Sequence, residues 1–397
     1  MAAFAAGLSE NPELVQAVQE AVAQVRLGLG PGGPPDLALL FVTPHHRSLV
    51  PEAAKFVREA LHPGTLLGCA AESVVGGRRE VEHAPGVSLW AGRTGPAQPF
   101  HLEVTHTPDG PTITGWPDDM DTASGMLVLA DPFSFPTPDF LERLDEDHRG
   151  LPLVGGMALV SPEPGDNQLV LDGEVLHEGA VGALLGAGVQ VSAVVSQGCR
   201  PIGSPYVVTR AEGNVVYELG SRPPLERLKQ LAATMEPVDV ALLNRGVHLG
   251  LVVDEHKVIF ERGDFLIRNV LGGDVGNGAI KLDDEIEVGA TVQFQVRDAG
   301  SADEDLRHLV DGRTADAALL FTCSGRGRRL FRQPDHDATI VSDGLAGAPL
   351  AGMFCAGEIG PVGDRTFLHE FTASVALLTT TPAGSTATDE SAAPADG

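Results

Sequence analysis

The same succession of strand-like and helical segments occurs twice in the first 200 residues, and this repetition limits the folds open to the chain. An apolar run at 37–43 precedes an amphipathic helix at 50–61, and further apolar runs follow at 65–70, 87–92 and 100–105. The order returns about 88 residues later, across 125–196. One helix among several strands does not fit a simple parallel series, so the pattern predicts mixed sheets packed against helices.

A third segment repeats the first in its letters. "ALLFVTP" at 38 recurs as "ALLFTCS" at 318, and "CAAES" at 69 recurs as "CAGEI" at 355. Both copies therefore read Cys-Ala-x-Glu after a strand, with Cys69 before Glu72 and Cys355 before Glu358. We infer an internal duplication. The predicted fold class is α/β (mixed α+β), with two domains of mixed β-sheets packed against helices and internally pseudo-duplicated.

Domain boundaries follow from changes in composition. A helix is predicted at 8–27, and together with a linker it forms an N-terminal segment, 1–36. The first domain is predicted at 37–222. It ends after a hairpin whose Gly213-Asn214 suits a tight turn, and prolines then begin a helix. The second domain (223–380) reads as strands at 238–246, 249–255, 264–273 and 290–298, then a polar helix near 301–311. The tail (381–397) has the composition of a disordered segment.

Composition excludes several classes of partner. With a formal net charge of −27, the chain repels the phosphates of nucleic acids and the headgroups of anionic membranes. We therefore expect neither a nucleic acid nor a membrane as a partner. The four cysteines are widely spaced without a CxxC, so neither a disulfide framework nor a zinc site is expected. The start lacks a secretory signal, and the chain has no run of 18 apolar residues. We therefore expect a cytoplasmic protein, without a cofactor or a metal.

Four motifs in order resemble one family. "LLGCAAESVVGG", "SQGCRPIGSPYVVT", "LFTCSGRG" and "CAGEIGPVGDRTFLHEFTAS" are similar to the FIST domain family, whose N-terminal part is expected over 37–222 and C-terminal part over 223–380. The resemblance implies a sensory module that binds small ligands such as amino acids and acts in intracellular signal transduction. The chain has no kinase-like or cyclase-like region, so the resemblance implies a signalling partner protein supplied in trans.

The motif "FLHEFTAS" contains the first candidate site residue. Alternation along a strand at 367–378 places His369 on the apolar face, where it is a core histidine, a ligand contact, a general base or a metal ligand. Glu358 lies between glycines that allow its carboxylate to approach a ligand, although a solvated turn explains it equally well. Glu72, in "CAAES", has the same two interpretations.

Two arginines and a serine complete the predicted set. Pro201 ends a strand directly after Arg200, whose guanidinium could bind a carboxylate or form an interdomain salt bridge. In "CSGRG", Ser324 and Arg326 occupy a loop that offers N–H groups and a cation to an anion, or a plain turn. With Cys69, the predicted ligand-binding residues are Cys69, Glu72, Arg200, Ser324, Arg326, Glu358 and His369, around one pocket where the sheets meet.

Two other functions remain open at this point. A thiol-dependent hydrolase or transferase would pair a cysteine such as Cys69, Cys323 or Cys355 with His369 as base. A protein-interaction scaffold would present an exposed apolar patch instead of a closed pocket. No GxSxG, HExxH or P-loop spacing supports another enzyme class.

Overall fold

The computed structural model describes residues 3–107, 110–257 and 259–381. The predicted tail, 381–397, therefore lies outside the described residues except for residue 381. The helices are α1 (Leu14–Leu29), α2 (Val50–Leu61), α3 (Thr137–Asp147), α4 (Pro224–Ala232), α5 (Pro237–Leu243), α6 (Ala299–Val310), α7 (Gly327–Phe331) and α8 (His336–Gly344). Short 3-10 turns lie at Pro44–Leu49, Met120–Thr122 and Arg262–Asp264.

The strands outnumber the helices, as the sequence predicts. They are β1 (Phe4–Ser9), β2 (Leu37–Val42), β3 (Thr65–Ala70), β4 (Ser73–Gly76), β5 (Arg79–Glu82), β6 (Val87–Gly92), β7 (Ala97–Thr107), β8 (Gly110–Thr114), β9 (Gly125–Ala130), β10 (Leu153–Met157), β11 (Leu169–Leu171), β12 (Glu174–Leu176) and β13 (Ala180–Leu185). The second half contains β14 (Val189–Gln197), β15 (Cys199–Pro201), β16 (Tyr206–Glu212), β17 (Val215–Leu219), β18 (His248–Val252), β19 (Phe265–Gly273), β20 (Ile280–Leu282), β21 (Thr291–Arg297), β22 (Ala317–Cys323), β23 (Leu350–Cys355), β24 (Glu358–Val362), β25 (Arg365–His369) and β26 (Thr372–Thr380).

Three sheets share one topology, so the predicted duplication extends to three units. Unit 1 has the strand order β1-β6-β2-β3-β11-β12, unit 2 β8-β7-β13-β9-β10-β24-β25, and unit 3 β14-β26-β22-β23-β4-β5. In each unit two parallel strands are joined by a helix (α2, α3 or α8), and a returning strand pairs antiparallel with the first of them. The mixed α/β fold class is thereby confirmed.

Each unit donates a hairpin to a neighbouring sheet. The β4–β5 hairpin follows β3 of unit 1 along the chain but pairs with β23 and extends the sheet of unit 3. In the same way β11–β12 follows β10 of unit 2 and extends the sheet of unit 1 beside β3, and β24–β25 follows β23 of unit 3 and extends the sheet of unit 2 beside β10. The exchange is cyclic, so no unit completes its sheet alone. The three units therefore form one body.

The core has an inner and an outer part. The inner faces of the three sheets meet in one cluster that includes Phe41, Trp90 and Phe321, and the helices cover the outer faces. The strands buried on both faces read as continuous apolar runs, such as "LALLFV" in β2. This is why these strands were visible in the sequence.

Unit 3 contains a large insertion between β14 and α6. Strands β15 to β21 form an antiparallel sheet in the order β15-β21-β16-β17-β20-β19-β18, and β18 also pairs with β21, which closes the ring. We call residues 199–297 the inserted barrel and the three units the core. The barrel has its own apolar cluster around Val292 and Phe294. The predicted domain boundary near residue 222 falls between β17 and α4, inside this barrel.

Three local predictions are wrong. The first helix begins at Leu14, not at residue 8, because Phe4–Ser9 pairs with β6 as an edge strand. The segment 238–246 was predicted as a strand, but Pro237 begins helix α5 there, at a position where proline needs no N–H partner. Third, the run 367–378 is two strands in two sheets, because Phe371 has a positive φ of 59° that breaks the strand.

The repeated Cys-Ala-x-Glu string is not a structural repeat. Ala38 lies opposite Leu66 and Ala318 opposite Leu350, so the sheet register makes Met353 the equivalent of Cys69. The cysteine of the second string, Cys355, lies two residues further along. Because side chains two residues apart along a strand point to the same face of the sheet, both cysteines point to the same face and both are buried.

Candidate functional site

Glu358 lies in a sealed polar cluster at the start of β24. Its side chain is fully buried, and its Oε2 accepts hydrogen bonds from the backbone N–H (3.1 Å) and the hydroxyl (2.9 Å) of Thr372. Burial raises the pKa of Glu358 well above its usual range. Its Oε1 has no partner among the described residues. Glu358 is therefore a buried carboxyl group, not a solvated turn.

Arg326 lies in the same part of the core and is also fully buried. It forms a two-pronged ion pair with Asp337, with Nε–Oδ2 2.7 Å and Nη2–Oδ1 2.9 Å, and Thr322 donates to the same carboxylate. Burial opposes the arginine charge, but the Asp337 carboxylate outweighs it and raises the pKa of Arg326. Its Nε and Nη2 are used in this way, whereas Nη1 is buried without a hydrogen-bond partner among the described residues. Arg326 therefore positions α8 and, being fully buried, does not face a cleft.

Glu72 and Ser324 meet at the edge of this cluster. Arg329 pairs with Glu72 (Nη2–Oε1 2.5 Å) and donates to the carbonyl of Ser324 at 2.7 Å. The backbone N–H of Ser324 donates to the carbonyl of Cys355 at 2.9 Å. The loops after β3, β22 and β23 therefore come together here, and these contacts join the loops to one another.

Arg200 lies apart from the other six predicted residues. It pairs with Asp239 on α5 and with Asp298 (Nε–Oδ2 2.6 Å), the residue that caps α6 where the chain returns to the core. This is the salt-bridge interpretation of Arg200. It joins the barrel to the segment that follows it.

The four thiols are buried, which bears on the enzymatic alternative. Burial raises the pKa of the Cys69, Cys323 and Cys355 thiols above the usual range and that of Cys199 to about 12. A nucleophilic cysteine needs a lowered pKa and access to substrate. The Cys69 Sγ instead contacts the Met353 Sδ at 3.1 Å. The geometry therefore argues against thiol catalysis.

The segment His369–Thr372 connects three parts of the molecule. His369 is buried, and its Nε2 is hydrogen bonded to the Gly360 carbonyl at 3.0 Å, the core-histidine interpretation. Burial lowers its pKa to about 4, so the ring is neutral at pH 7. Glu370 reaches the barrel, where the Asn269 side chain donates to it. Thr372, as described, holds Glu358.

Phe371 is one of the contacts between the barrel and the core. Its ring lies 4.6 Å from the His248 ring, and the Arg297 guanidinium lies 4.6 Å from the Phe371 centroid. Arg297 also donates to the Gly325 carbonyl in the loop after β22. The backbone strain at Phe371 is therefore held in place by contacts on both sides.

A cleft lies beside this contact, between α3, β25 and the barrel. We call it the junction cleft; its volume is about 330 Å³. None of the seven predicted residues lines it, but their neighbours Phe367, Leu368 and Glu370 do. Its charged groups are Glu142, Asp145, Arg268, Asp283, Asp284, Arg365 and Glu370.

The charges in the junction cleft are of both signs and partly paired. Arg268 pairs with Asp284 (Nε–Oδ2 2.8 Å) and Arg365 with Asp145 (Nε–Oδ2 3.1 Å). Burial, together with the nearby Asp283 carboxylate, raises the pKa of Glu370 to about 8. Glu370 is thus mostly protonated at neutral pH, because burial and the negative charge of Asp283 both disfavour its ionised form.

Sequence reasoning missed most of this cleft. Asp283 and Asp284 follow a three-residue strand, and Arg268 lies within a strand, so no spacing connects them to β25. Arg365 did fall inside a quoted motif. No group of three or more His, Cys, Asp or Glu that could hold a metal is present in residues 3–107, 110–257 and 259–381.

Two family models together match most of the chain. The FIST N domain model matches residues 36–222 and the FIST C domain model matches 224–361. The chain therefore belongs to the FIST family, whose domains are in general sensory domains of signal transduction. The boundary between the two models falls inside the inserted barrel.

Relatives of similar length occur in mycobacteria. An uncharacterized protein of Mycobacterium tuberculosis is 46% identical over 378 residues, which is 94% of this chain and 98% of that protein. An uncharacterized protein of Mycobacterium bovis is 44% identical over 379 residues, 94% of this chain and 97% of its own length. In the described part of the chain, each helix is too short or too polar to cross a membrane.

Proposed function

We propose that this chain is a sensory module of signal transduction that binds an amino acid, or a related small carboxylate with an amine, in the junction cleft. The observation that carries the proposal is the combination of arginines and carboxyl groups in a space of about 330 Å³ between the barrel and the core. Ligand pockets range from about 300 to 1,000 Å³ and favour interfaces between structural parts. The cleft suits a small ligand.

The carboxylate end of such a ligand has two partners. Arg268 is 17% exposed and uses Nε for Asp284 and Nη1 for the Ile267 carbonyl. A guanidinium has five N–H groups, more than these two contacts use, and it binds carboxylates in a forked geometry. Arg365, at the opposite wall, is half-exposed and can exchange Asp145 for a ligand.

The amine end has acceptors on the barrel side. Asn269 donates both to Asp283 (2.7 Å) and to Glu370, so the two carboxyl groups lie close together. An ammonium group placed between them replaces the proton that Glu370 carries at neutral pH. A zwitterion therefore has a partner for each of its two charged ends, and its binding releases the Glu370 proton to solvent.

Ligand binding in the junction cleft is connected to the rest of the molecule through Phe371, the residue after Glu370. Glu370 precedes Phe371, which packs between His248 and Arg297 of the barrel. A ligand that moves Glu370 therefore alters the barrel contact, which is a route from the cleft to a partner protein. That partner, supplied in trans, and the cytoplasmic location belong to the same proposal.

A thermal-shift screen of the twenty amino acids and of small carboxylates tests the proposal. A ligand at 100 times its Kd stabilises the folded protein by about 2.7 kcal/mol. We expect at least one amino acid to raise the melting temperature, and Arg365→Gln and Glu370→Gln to reduce that rise. Arg149→Gln is the matched control, because Arg149 pairs with Asp364 outside the cleft. No response in the unsubstituted protein, or equal loss in the control, overturns the proposal.

One observation favours a protein-interaction scaffold as a second function. Exposed large apolar residues of the described chain concentrate in the inserted segment: Val207, Val238, Ile259, Leu271, Val275 and Val288. Where exposed apolar side chains form a contiguous patch, they mark protein contacts. The same screen separates the two functions, since a scaffold keeps one melting temperature with every amino acid tested.

A further inference from the structure

A second cleft lies in unit 2 and shares no lining residue with the junction cleft. Units 1 and 3 each have a helix between their first two core strands, α1 and α6, whereas unit 2 has the β7–β8 hairpin there. A space of about 1080 Å³ lies between this hairpin, the β9–α3 loop and the segment after β12. We call it the hairpin cleft.

The β9–α3 loop is fixed by a buried carboxylate. Asp131 is 1% exposed and accepts from the backbone N–H groups of Phe133 (3.2 Å) and Ser134 (2.8 Å) and from the Ser134 hydroxyl (2.6 Å). Asn167 donates to its other oxygen at 2.9 Å. The loop is therefore rigid, and yet it presents Phe133 to solvent with 45% of its surface exposed.

The walls around Phe133 combine apolar and acidic groups. Val104 and Ile113 of the hairpin line the cleft with Phe133. Three acidic residues and one arginine also line it: Glu103, Asp139, Glu178 and Arg143. Asp139 lies in the first turn of α3, where it offsets the positive end of the helix dipole. Together with the net charge of −27, this lining disfavours an anion.

We propose that the hairpin cleft is a second ligand site and takes an amphipathic organic cation. The apolar body of the ligand packs on Phe133 and the hairpin, and its amine lies near Glu103 and Glu178. An aromatic or aliphatic amine has this chemistry, and the fixed loop lowers the entropic cost of binding it. The site is separate from the junction cleft and does not depend on the function proposed for it.

Two fluorescent probes of opposite charge test this inference. Dansylcadaverine ends in an amine, and the dansyl derivative of 6-aminohexanoic acid ends in a carboxylate, while both share the same aromatic body. Dansyl emission increases in apolar surroundings, so each is titrated with the full chain at pH 7.5. We expect saturable binding of the cation about tenfold tighter than that of the anion, weakening as salt is added.

Variants locate the binding. Phe133→Ala is expected to weaken dansylcadaverine about fivefold through lost apolar contact, and Glu178→Gln about threefold. Val275→Ala and Glu304→Gln remove an exposed apolar and an exposed acidic residue elsewhere and should change the affinity less than twofold. Unchanged melting temperatures show that the variants fold. Equal binding of both probes, absence of saturation, or full affinity in Phe133→Ala overturns the inference.

Discussion

Glu358 and His369 lie directly opposite each other in the β24–β25 pair, and each forms its hydrogen bonds with a different partner. Glu358 accepts from Thr372, whereas His369 is bonded to the Gly360 carbonyl. Burial raises the pKa of the first and lowers that of the second, so both side chains are neutral when the protein is most stable. The two residues therefore act on stability, not as an acid–base pair.

Replacing Glu358 by glutamine should change how stability depends on pH. The folded-state pKa of Glu358 exceeds the unfolded value of 4.5. The contribution of Glu358 to the free energy of unfolding is therefore complete below pH 4.5, and it is lost as the pH rises toward the folded-state pKa. Glu358→Gln should therefore gain at least about 1 kcal/mol relative to the unsubstituted protein between pH 5 and pH 8. Urea unfolding at both pH values measures it; a constant difference contradicts the assignment.

His369 should affect the pH dependence of stability in the opposite direction. Its folded pKa of about 4 lies below the unfolded 6.5, so stability is lost as pH falls from 6.5 to 4, by up to about 3 kcal/mol. His369→Gln keeps a donor for Gly360 and should flatten this acid loss. Urea unfolding at pH 7 and pH 4.5 provides the test, with the exposed His308→Gln as control. If the two variants lose equal stability in acid, His369 is not the responsible group.

The Arg326–Asp337 pair should be among the most sensitive points of the core. Arg326→Met leaves a buried carboxylate without its guanidinium and should cost about 3–5 kcal/mol of unfolding free energy. Arg329→Met removes the half-exposed partner of Glu72 and should cost less than about 1 kcal/mol. Denaturant unfolding of both variants measures the difference, and similar losses contradict a structural role for Arg326.

Phe371 should control how firmly the barrel is held. Phe371→Ala removes the ring between His248 and Arg297, so amide exchange in β18 and β19 should increase without global unfolding. Val275→Ala, an exposed residue of the same barrel, should leave that exchange unchanged. Hydrogen–deuterium exchange with mass spectrometry measures it. An increase spread evenly over all three sheets contradicts the proposed contact.

The fold was predictable where a strand is buried on both faces. The runs at 37–42 and 317–323 are continuous and apolar, and α2 has a clear apolar face, so these elements were found from the sequence. The third unit was recognised because its sequence "ALLFTCS" repeats "ALLFVTP" of the first unit. The cyclic exchange of hairpins was not predictable, because short strands such as Ser73–Gly76 pair with distant partners that periodicity does not identify.

The candidate site was predictable only in part. The loops carrying Glu72, Ser324, Arg326 and Glu358 converge, but Arg326 and Glu358 are fully buried, and Arg329 contacts both Glu72 and the Ser324 carbonyl. These residues therefore form structural contacts and do not face a cleft. The junction cleft depends on Arg268 and Asp283, which the inserted barrel brings to β25. Its placement relies on Phe371, whose left-handed conformation interrupts a pattern that reads as one strand.

Hydrogen–deuterium exchange with and without an amino acid that raises the melting temperature tests the central claim most directly. The account predicts slower exchange in 265–269, 281–284 and 365–371, which surround the junction cleft, and an unchanged rate in the β9–α3 loop. Protection confined to other regions, with these three segments unchanged, would contradict a ligand site between the barrel and the core.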